Sequence, residues 1–203
     1  MMKPTQQDLA AIQRGRSATN ITHANINPSY DVLLGEVRIA DAVVATRVPR
    51  LDLLPATVDL SGAEVEMVGL SDRTHRLEQA FSEVPEGRWD IIMMDCPPSL
   101  GLLTINALVA SNGVIVPVQC EYLSLRGLVQ LENTLSMIRE NLNPQVEIQG
   151  ILPTMFDKRL LHSREAIDIL KENFGDLVLN TKIRKTVRYA EAPVKGQSIL
   201  KYD

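Results

Sequence analysis

One acidic residue, Asp95, stands where a carboxylate could take part in phosphate chemistry. It follows the apolar run Ile91–Met94, a pattern typical of a central parallel strand covered on both faces. Pro97 and Pro98 come next, and because proline cannot continue a strand ladder, we expect the strand to end at Asp95. Ligands of open α/β sheets bind at this carboxyl edge, where an acid commonly holds a magnesium-bound water beside a nucleotide phosphate.

The sequence lacks the other half of such a site. A phosphate-binding loop of the P-loop type reads Gly-x4-Gly-Lys-[Ser/Thr], yet none of the eleven glycines is followed by lysine. No lysine lies between Lys3 and Lys158. The nearest imitation, Gly15-Arg16-Ser17, follows no predicted strand, and we interpret it as a coincidence. The acid predicted to face magnesium is therefore present without the loop that would hold the phosphates.

The composition is that of an ordinary globular protein. The 203 residues are 45% hydrophobic, enough for one domain with a substantial core. No apolar run approaches the roughly 18 residues of a membrane span, and residues 1–28 lack the apolar core of a signal peptide. Cys96 and Cys120 do not have zinc-site spacing, so we expect two buried free thiols in a reducing, cytoplasmic compartment.

Basic residues cluster near the end of the sequence. Residues 182–201 contain six lysines and arginines and a single acid, Glu191, whereas the whole chain has a net charge of −4. Such a segment is either a solvated face or a surface for a polyanion, and charge alone leaves both interpretations open.

The chain is predicted to consist of a polar leader, residues 1–28, which has no clear period and is compatible with disorder, and an organised domain, residues 29–203. Helices are predicted over Ile39–Val44, Glu64–Phe81 with an interruption near Gly69, Leu102–Ala110, Leu125–Leu142 and Ser163–Phe174, the last ended by Gly175. Strands are predicted over Pro49–Pro55, Asp90–Asp95, Gly113–Val118, Val146–Leu152 and Leu177–Ile183. This alternation indicates an α/β fold, a parallel sheet with helices on both faces.

Several segments together resemble the ParA/Soj family of chromosome- and plasmid-partitioning ATPases. The segment Asp95–Thr104, reading DCPPSLGLLT, is similar to the Walker B and switch II region of that family. Further similar segments are Tyr30–Gly35, Leu51–Ala56, Pro117–Tyr122 with Leu125–Leu128, Thr154–Asp157 and Ala190–Pro193. The resemblance covers about residues 29–203 and implies a P-loop NTPase-like fold of the deviant Walker type.

The resemblance implies a cytoplasmic, nucleoid-associated ATPase that binds ATP and Mg²⁺ and forms ATP-dependent homodimers. It also implies non-specific DNA binding and a ParB-like partner that stimulates hydrolysis. It implies no membrane association. By residue, Asp95 would hold magnesium indirectly through water, and the nucleotide would lie near Pro97, Pro98, Thr154, Met155, Phe156 and Asp157. The DNA-binding positions would be Arg184, Lys185, Arg188 and Lys195.

The departures from the family pattern leave the activity open. Family members begin with a strand and a glycine-rich lysine loop, followed by a strand that ends in an acidic motif, and neither is recognisable before Ser29. We therefore expect the P-loop strand and helix to be missing and ATP hydrolysis to be impaired. A truncated gene, a misassigned start or a frameshift would produce such a sequence. The alternatives are a nucleotide-independent DNA- or partner-binding remnant and a non-functional fragment with exposed strand edges.

Overall fold

The structure is a computed structural model that describes residues 28–120 and 124–202. The predicted leader lies outside the described residues except for Pro28, and so do Glu121 and Tyr122 of the Pro117–Tyr122 segment. The chain forms two compact units, the first ending at Ala110 and the second beginning at Ser111.

The first unit is mainly helical. Its elements are α1 Pro28–Leu34, α2 Ile39–Ala42, β1 Val44–Ala45, β2 Asp52–Leu53, α3 Leu60–Met67, α4 Arg76–Ser82 and α5 Leu102–Val109. The predicted helix 39–44 is confirmed in a shorter form, and the predicted interruption near Gly69 is confirmed because α3 ends before it and α4 begins after it. The predicted strand 49–55 is reduced to β2, which pairs antiparallel with β1.

Helix α1 organises the core of the first unit. Its neighbouring residues Val32 and Leu33 are both buried but belong to different apolar clusters, one with Ile39 and one with Met67. The helix ends at Gly35, whose φ of +79° is a conformation that favours glycine. The Arg76 Nε atom donates a 2.7 Å hydrogen bond to the Leu33 carbonyl, which places a positive charge at the helix C-terminus, where the dipole favours it.

The second unit has a βαβ core. Its elements are β3 Gly113–Gln119, α6 Ser124–Asn141, β4 Glu147–Thr154, α7 Leu161–Phe174, a 3-10 turn Gly175–Leu177, α8 Arg188–Val194 and a 3-10 turn Ile199–Lys201. Strands β3 and β4 pair in parallel, and α6 connects them, as the alternating pattern predicts. Gly175 ends α7 with a φ of +53°, which confirms its predicted role as the helix terminator.

The core of the second unit is built where helices pack on the parallel pair. Val118 of β3 and Ile151 of β4 share a buried cluster with Leu128 of α6 and Leu170 of α7. Ile151 and Leu170 have no exposed surface. The apolar positions spaced three and four residues apart in α6 and α7 are therefore the positions that face the sheet.

The prediction of a buried strand over Asp90–Asp95 is wrong. In the structure the segment 91–97 belongs to neither a helix nor a strand. Ile91 is 81% exposed and Met93 is 86% exposed. A strand is stabilised by ladder hydrogen bonds to a neighbour and by burial of its faces, and among the described residues no strand pairs with this segment. An apolar run without a ladder partner remains unpaired and exposed.

The predicted strand Leu177–Ile183 is only partly formed. The segment runs beside β4, with the Leu179 N–H donating to the Ile151 carbonyl and the Ile183 N–H donating to the Pro153 carbonyl, both at 2.9 Å. Only an isolated parallel bridge joins Ile151 to Val178. Pro153 has no N–H, so it cannot return the hydrogen bond that would continue the ladder along this edge.

Three further outcomes concern single elements. Cys120 is buried as predicted, but Cys96 is exposed, because the segment before it does not enter a sheet. Helix α8 was not predicted, and Pro193 in its last turn is a residue that normally argues against a helix. In the two described ranges, no helix is both long and apolar enough to cross a bilayer.

Candidate functional site

The turn that follows Asp95 leads into α5 and is held by local hydrogen bonds. The Thr104 hydroxyl donates a 2.6 Å hydrogen bond to the carbonyl of Ser99 and lies 3.5 Å from that of Pro97. These bonds fold the residues after Asp95 back onto the first turn of the helix. Asp95, Pro97 and Pro98 are all exposed, so the acid and both prolines face solvent at this turn.

A carboxylate from another helix closes the turn. Glu64, on α3, accepts a 3.1 Å hydrogen bond from the Leu103 N–H, one of the first N–H groups of α5 and without a partner inside the helix. Gly101 occupies the N-cap position in an extended conformation and has no side chain to accept this bond. A Cβ atom on Gly101 would collide with the Glu64 carboxylate, so a larger residue here would displace that carboxylate.

The buried amide of Asn106 fixes α5 within the first unit. This side chain is 1% exposed. Its Nδ2 atom donates to the carbonyls of Arg73 and Leu102, at 2.7 and 2.9 Å, and its Oδ1 atom accepts from the Leu77 N–H at 3.1 Å. Every strong hydrogen-bonding position of the amide except one acceptor lone pair is used, which compensates for its burial.

The second predicted cluster lies where β4 ends. The Cys120 N–H donates a 3.0 Å hydrogen bond to the Thr154 carbonyl, which joins the ends of β3 and β4. Met155 adopts a φ of +51°, uncommon for a residue other than glycine, and its side chain is 46% exposed. Phe156 instead packs against a buried cluster that contains Cys120 and Ile167. Of these residues, Met155 has the more accessible side chain, whereas Phe156 is half-buried against the core.

The Asp157 carboxylate is engaged by Arg159. The Arg159 Nε and Nη2 atoms donate to its two oxygens at 3.0 and 2.7 Å, and the Arg159 backbone N–H donates to Oδ1 at 3.0 Å. These hydrogen bonds, together with the charge of Lys185, hold the pKa of Asp157 well below its usual range. At neutral pH this position therefore presents a neutralised ion pair.

The predicted DNA-binding side chains are all exposed. Arg184 and Lys185 lie beside the end of β4, where Phe156 forms a parallel bridge with Arg184 and accepts a 3.1 Å hydrogen bond from the Lys185 N–H at its carbonyl. Arg188 begins α8 and Lys195 follows its last residue. The Lys195 Nζ atom lies 4.8 Å from the centre of the Tyr202 ring, a cation–π distance.

The predicted residues thus fall into separate groups. Asp95, Pro97 and Pro98 belong to the first unit, and Thr154–Asp157 with the four basic residues belong to the second. In the second unit the structure brings Thr154–Asp157 close to Arg184 and Lys185.

Two residues of the first unit were not predicted, Glu64 and Asn106. Asn106 has a sequence signal, as one of two polar residues in the otherwise apolar α5. Glu64 has none, because its partner in the chain is 39 residues away.

The described residues do not form a magnesium site by themselves. Asp95 is a single exposed carboxylate, and within residues 28–120 and 124–202 no group of three or more histidine, cysteine, aspartate or glutamate side chains could hold a metal ion. Magnesium requires several oxygen ligands in octahedral geometry, which phosphates and water usually complete. Any magnesium chemistry at Asp95 would therefore depend on oxygens from a bound ligand.

Comparison with known proteins identifies relatives over most of the chain. The family described as AAA domain matches residues 8–148. The chromosome partitioning protein ParA of Caulobacter vibrioides is 43% identical over 175 residues, which cover 86% of this chain and 66% of the relative. The sporulation initiation inhibitor protein Soj of Bacillus subtilis is 46% identical over 174 residues, covering 86% and 68%. The chain thus spans just under two thirds of the Caulobacter protein.

A solved structure agrees with these relatives. Cobyrinic acid a,c-diamide synthase from Mycobacterium smegmatis, crystallised with an ATP analogue and magnesium, is 37% identical and superposes with a TM-score of 0.73. The superposition covers 83% of this chain and 66% of that protein. Fold, sequence identity and the segment after Asp95 agree, and the chain belongs to the ParA/Soj family of partitioning ATPases, with the α/β fold of P-loop NTPases.

Proposed function

We propose that this chain is a partitioning protein of the ParA type, acting on a chromosome or plasmid, whose ATP hydrolysis is impaired. The observation that carries the proposal is the pairing of the DCPPSLG segment at Asp95 with the absence of any lysine between Lys3 and Lys158. Transfer of a phosphoryl group depends on positive charge and backbone N–H groups around the phosphates. The printed sequence supplies the acid of the site but no lysine loop.

The nucleotide contacts that the resemblance implies are proposed for each unit by itself. In the first unit, Asp95 would face magnesium through water, and Pro97 and Pro98 would lie near phosphate. In the second unit, Thr154–Asp157 would contact the base. Two observations bear on the base side: Met155 is exposed after β4, and the Asp157 carboxylate is held by Arg159. ATP contacts with Asp157 would therefore have to involve its backbone or displace Arg159.

Calorimetry with MgATP and a phosphate-release assay test this proposal. We expect binding to be weak and turnover to be far below that of Bacillus subtilis Soj, measured in parallel as the active reference. Asp95→Asn is the matched variant, since it removes the charge but keeps the size of the side chain. If residual binding uses Asp95 and magnesium, Asp95→Asn should weaken MgATP binding and leave ATP binding in EDTA unchanged. Turnover equal to that of Soj would contradict the proposal.

A second candidate function, nucleotide-independent DNA binding, is favoured by the exposed basic residues. Arg184, Lys185 and Arg188 are exposed within a segment that contains one acid. Non-specific DNA binding requires only that positive side chains neutralise phosphates. In this reading a ParB-like partner and the nucleoid remain the targets, and the ATP-dependent homodimer is not needed.

DNA binding measured with and without ATP distinguishes the two functions, and a salt titration identifies the side chains that contact phosphate. Each phosphate contact that is lost should reduce the slope of log K against log salt by about 1, so Arg184→Ala and Arg188→Ala should each flatten the dependence. Lys171→Ala on α7 removes the same charge outside the basic segment and serves as the control. DNA binding that needs ATP supports the ATPase proposal, whereas binding without nucleotide supports the second function.

A third reading is a non-functional fragment, for which the exposed apolar side chains of Ile91 and Met93 are the specific observation. Exposed apolar segments without a sheet partner favour aggregation. Far-UV thermal melting and sedimentation of the purified chain test this reading. A cooperative transition from a monodisperse species would exclude it.

A further inference from the structure

We infer that Glu64 is the positioning residue of the turn between Asp95 and α5. The inference deepens the proposed function, and rests on it only in assigning that turn to the nucleotide side. The carboxylate comes from α3, outside the turn, and binds the first turn of α5 by one hydrogen bond, from Leu103 N–H to Glu64 Oε1 at 3.1 Å. This hydrogen bond links the start of α5 to α3, beside the packing of Leu102 and Leu103 against Ala63 and Met67.

The role follows from what the turn itself lacks. Helices usually begin with a side chain that accepts a hydrogen bond from one of their free N–H groups, and serine, threonine, asparagine or aspartate supply it. Gly101 stands at that position in α5 and cannot. Its backbone is extended, with φ −80° and ψ −174°, so a residue with a side chain would fit the backbone at this point. The Glu64 carboxylate fills the space that a Cβ atom would occupy, so a side chain at residue 101 would displace it.

Glu64 and Gly101 therefore act together: Gly101 leaves space at the start of α5, and the Glu64 carboxylate fills it and caps the helix. A local cap at residue 101 would hold α5 to its own turn, whereas the cap from Glu64 ties α5 to α3. A carboxylate is also the favourable charge at a helix N-terminus. The turn on the other side of Gly101 is linked to the same helix end by the Thr104–Ser99 hydrogen bond. Through these contacts Glu64 controls where the residues after Asp95 lie.

Hydrogen exchange at the Leu103 amide tests the contact directly. In Glu64→Ala we expect protection of this amide to be lost, whereas Glu64→Gln, which keeps an acceptor oxygen, should retain most of it. Glu66→Ala is the matched control, because it removes a carboxylate from the same helix. The Glu66 carboxylate accepts a hydrogen bond from the Tyr30 hydroxyl and, among the described residues, does not contact α5 in this way. Unchanged protection in Glu64→Ala, or equal loss in Glu66→Ala, would overturn the inference.

A spin label on Cys96 reports the turn itself. Cys96 is exposed and Cys120 is buried, so labelling should be selective, and Cys96→Ser measures the background. In the electron paramagnetic resonance spectrum, a label held by an ordered turn gives a slow-motion component. We expect this component to be lost in Glu64→Ala and kept in Glu64→Gln and Glu66→Ala. A spectrum that does not change with Glu64 would show that the residue caps α5 without positioning the turn, and would overturn the inference.

Gly101→Ala keeps the test decisive even if Glu64→Ala does not fold. Gly101→Ala should push the carboxylate away and remove Leu103 protection although Glu64 is still present. Gly101→Ser should be unfavourable beside Glu64 but should restore protection in the Glu64→Ala background by supplying a local cap. Absence of this reversal would contradict the inference. All of these measurements omit nucleotide, so their outcome is independent of the MgATP calorimetry on which the proposed function depends.

Discussion

Two segments of this protein are similarly apolar but adopt different structures. Residues 114–118 form part of β3, which pairs with β4 along its length and buries Val118. Residues 91–94 are equally apolar, but they pair with no strand in the described part of the chain, and Ile91 and Met93 are almost fully exposed. An apolar run therefore forms a strand only beside a neighbour, because the ladder and the burial both come from the partner.

The largest expected effect is at the paired strand. Ile151→Ala removes a side chain with no exposed surface from the cluster that joins β4 to α6 and α7. The lost burial and the cavity left behind should lower the free energy of unfolding by about 2–5 kcal/mol. Urea unfolding followed by far-UV circular dichroism measures this change. A loss below about 1 kcal/mol would mean that the second unit is not a packed core.

The next effect concerns the anchor of α5 in the first unit. Asn106→Ala leaves the Leu77 N–H and the Arg73 carbonyl without their buried partner. An unsatisfied buried polar group costs about 1–3 kcal/mol, so the free energy of unfolding should fall by that order. Fluorescence of Trp89, the single tryptophan, follows the first unit. Ser82→Ala on α4 removes a hydroxyl that donates to the Gln79 carbonyl at an exposed position of the same unit, and this control should have little effect.

A smaller effect separates two carboxylates, Asp157 after the paired strand β4 and Asp95 after the unpaired run. Asp157, after β4, is paired with Arg159, whereas Asp95 is exposed. The pKa of Asp157 is lowered, so its contribution to stability is present above the ordinary value of 3.8 and is lost as pH falls toward the folded-state value. In Arg159→Ala the Asp157 pKa should rise toward 3.8. Carboxyl NMR titration checks this, and an unchanged Asp157 pKa would show that the pair does not form.

The smallest expected effect is at the unpaired run. Ile91→Ala makes the same chemical change as Ile151→Ala, but the side chain is 81% exposed. The free energy of unfolding should therefore change by no more than about 0.5 kcal/mol in the same urea experiment. A cost similar to that of Ile151→Ala would show that residues 91–94 are buried in solution. It would restore the sequence-based prediction of a strand before Asp95.

Much of the fold can be predicted from local sequence patterns. The helices with clear three- and four-residue spacing, the βαβ order of the second unit and the end of α7 at Gly175 all follow from local patterns, and the structure confirms them. The family also follows from contiguous residues, chiefly Asp95–Thr104, and the comparisons confirm it. Such features are local, so neighbouring residues in the chain are enough to specify them.

Contacts between residues that are distant in the chain settle which strands form and what holds the turn after Asp95. Whether residues 91–94 and 177–183 join a ladder depends on partners elsewhere in the chain, and Pro153 interrupts one of them by lacking an N–H. Glu64 reaches Leu103 across 39 residues of sequence, and the Asn106 amide reaches Arg73 across 33. These interactions depend on distances in space, which sequence periodicity does not contain.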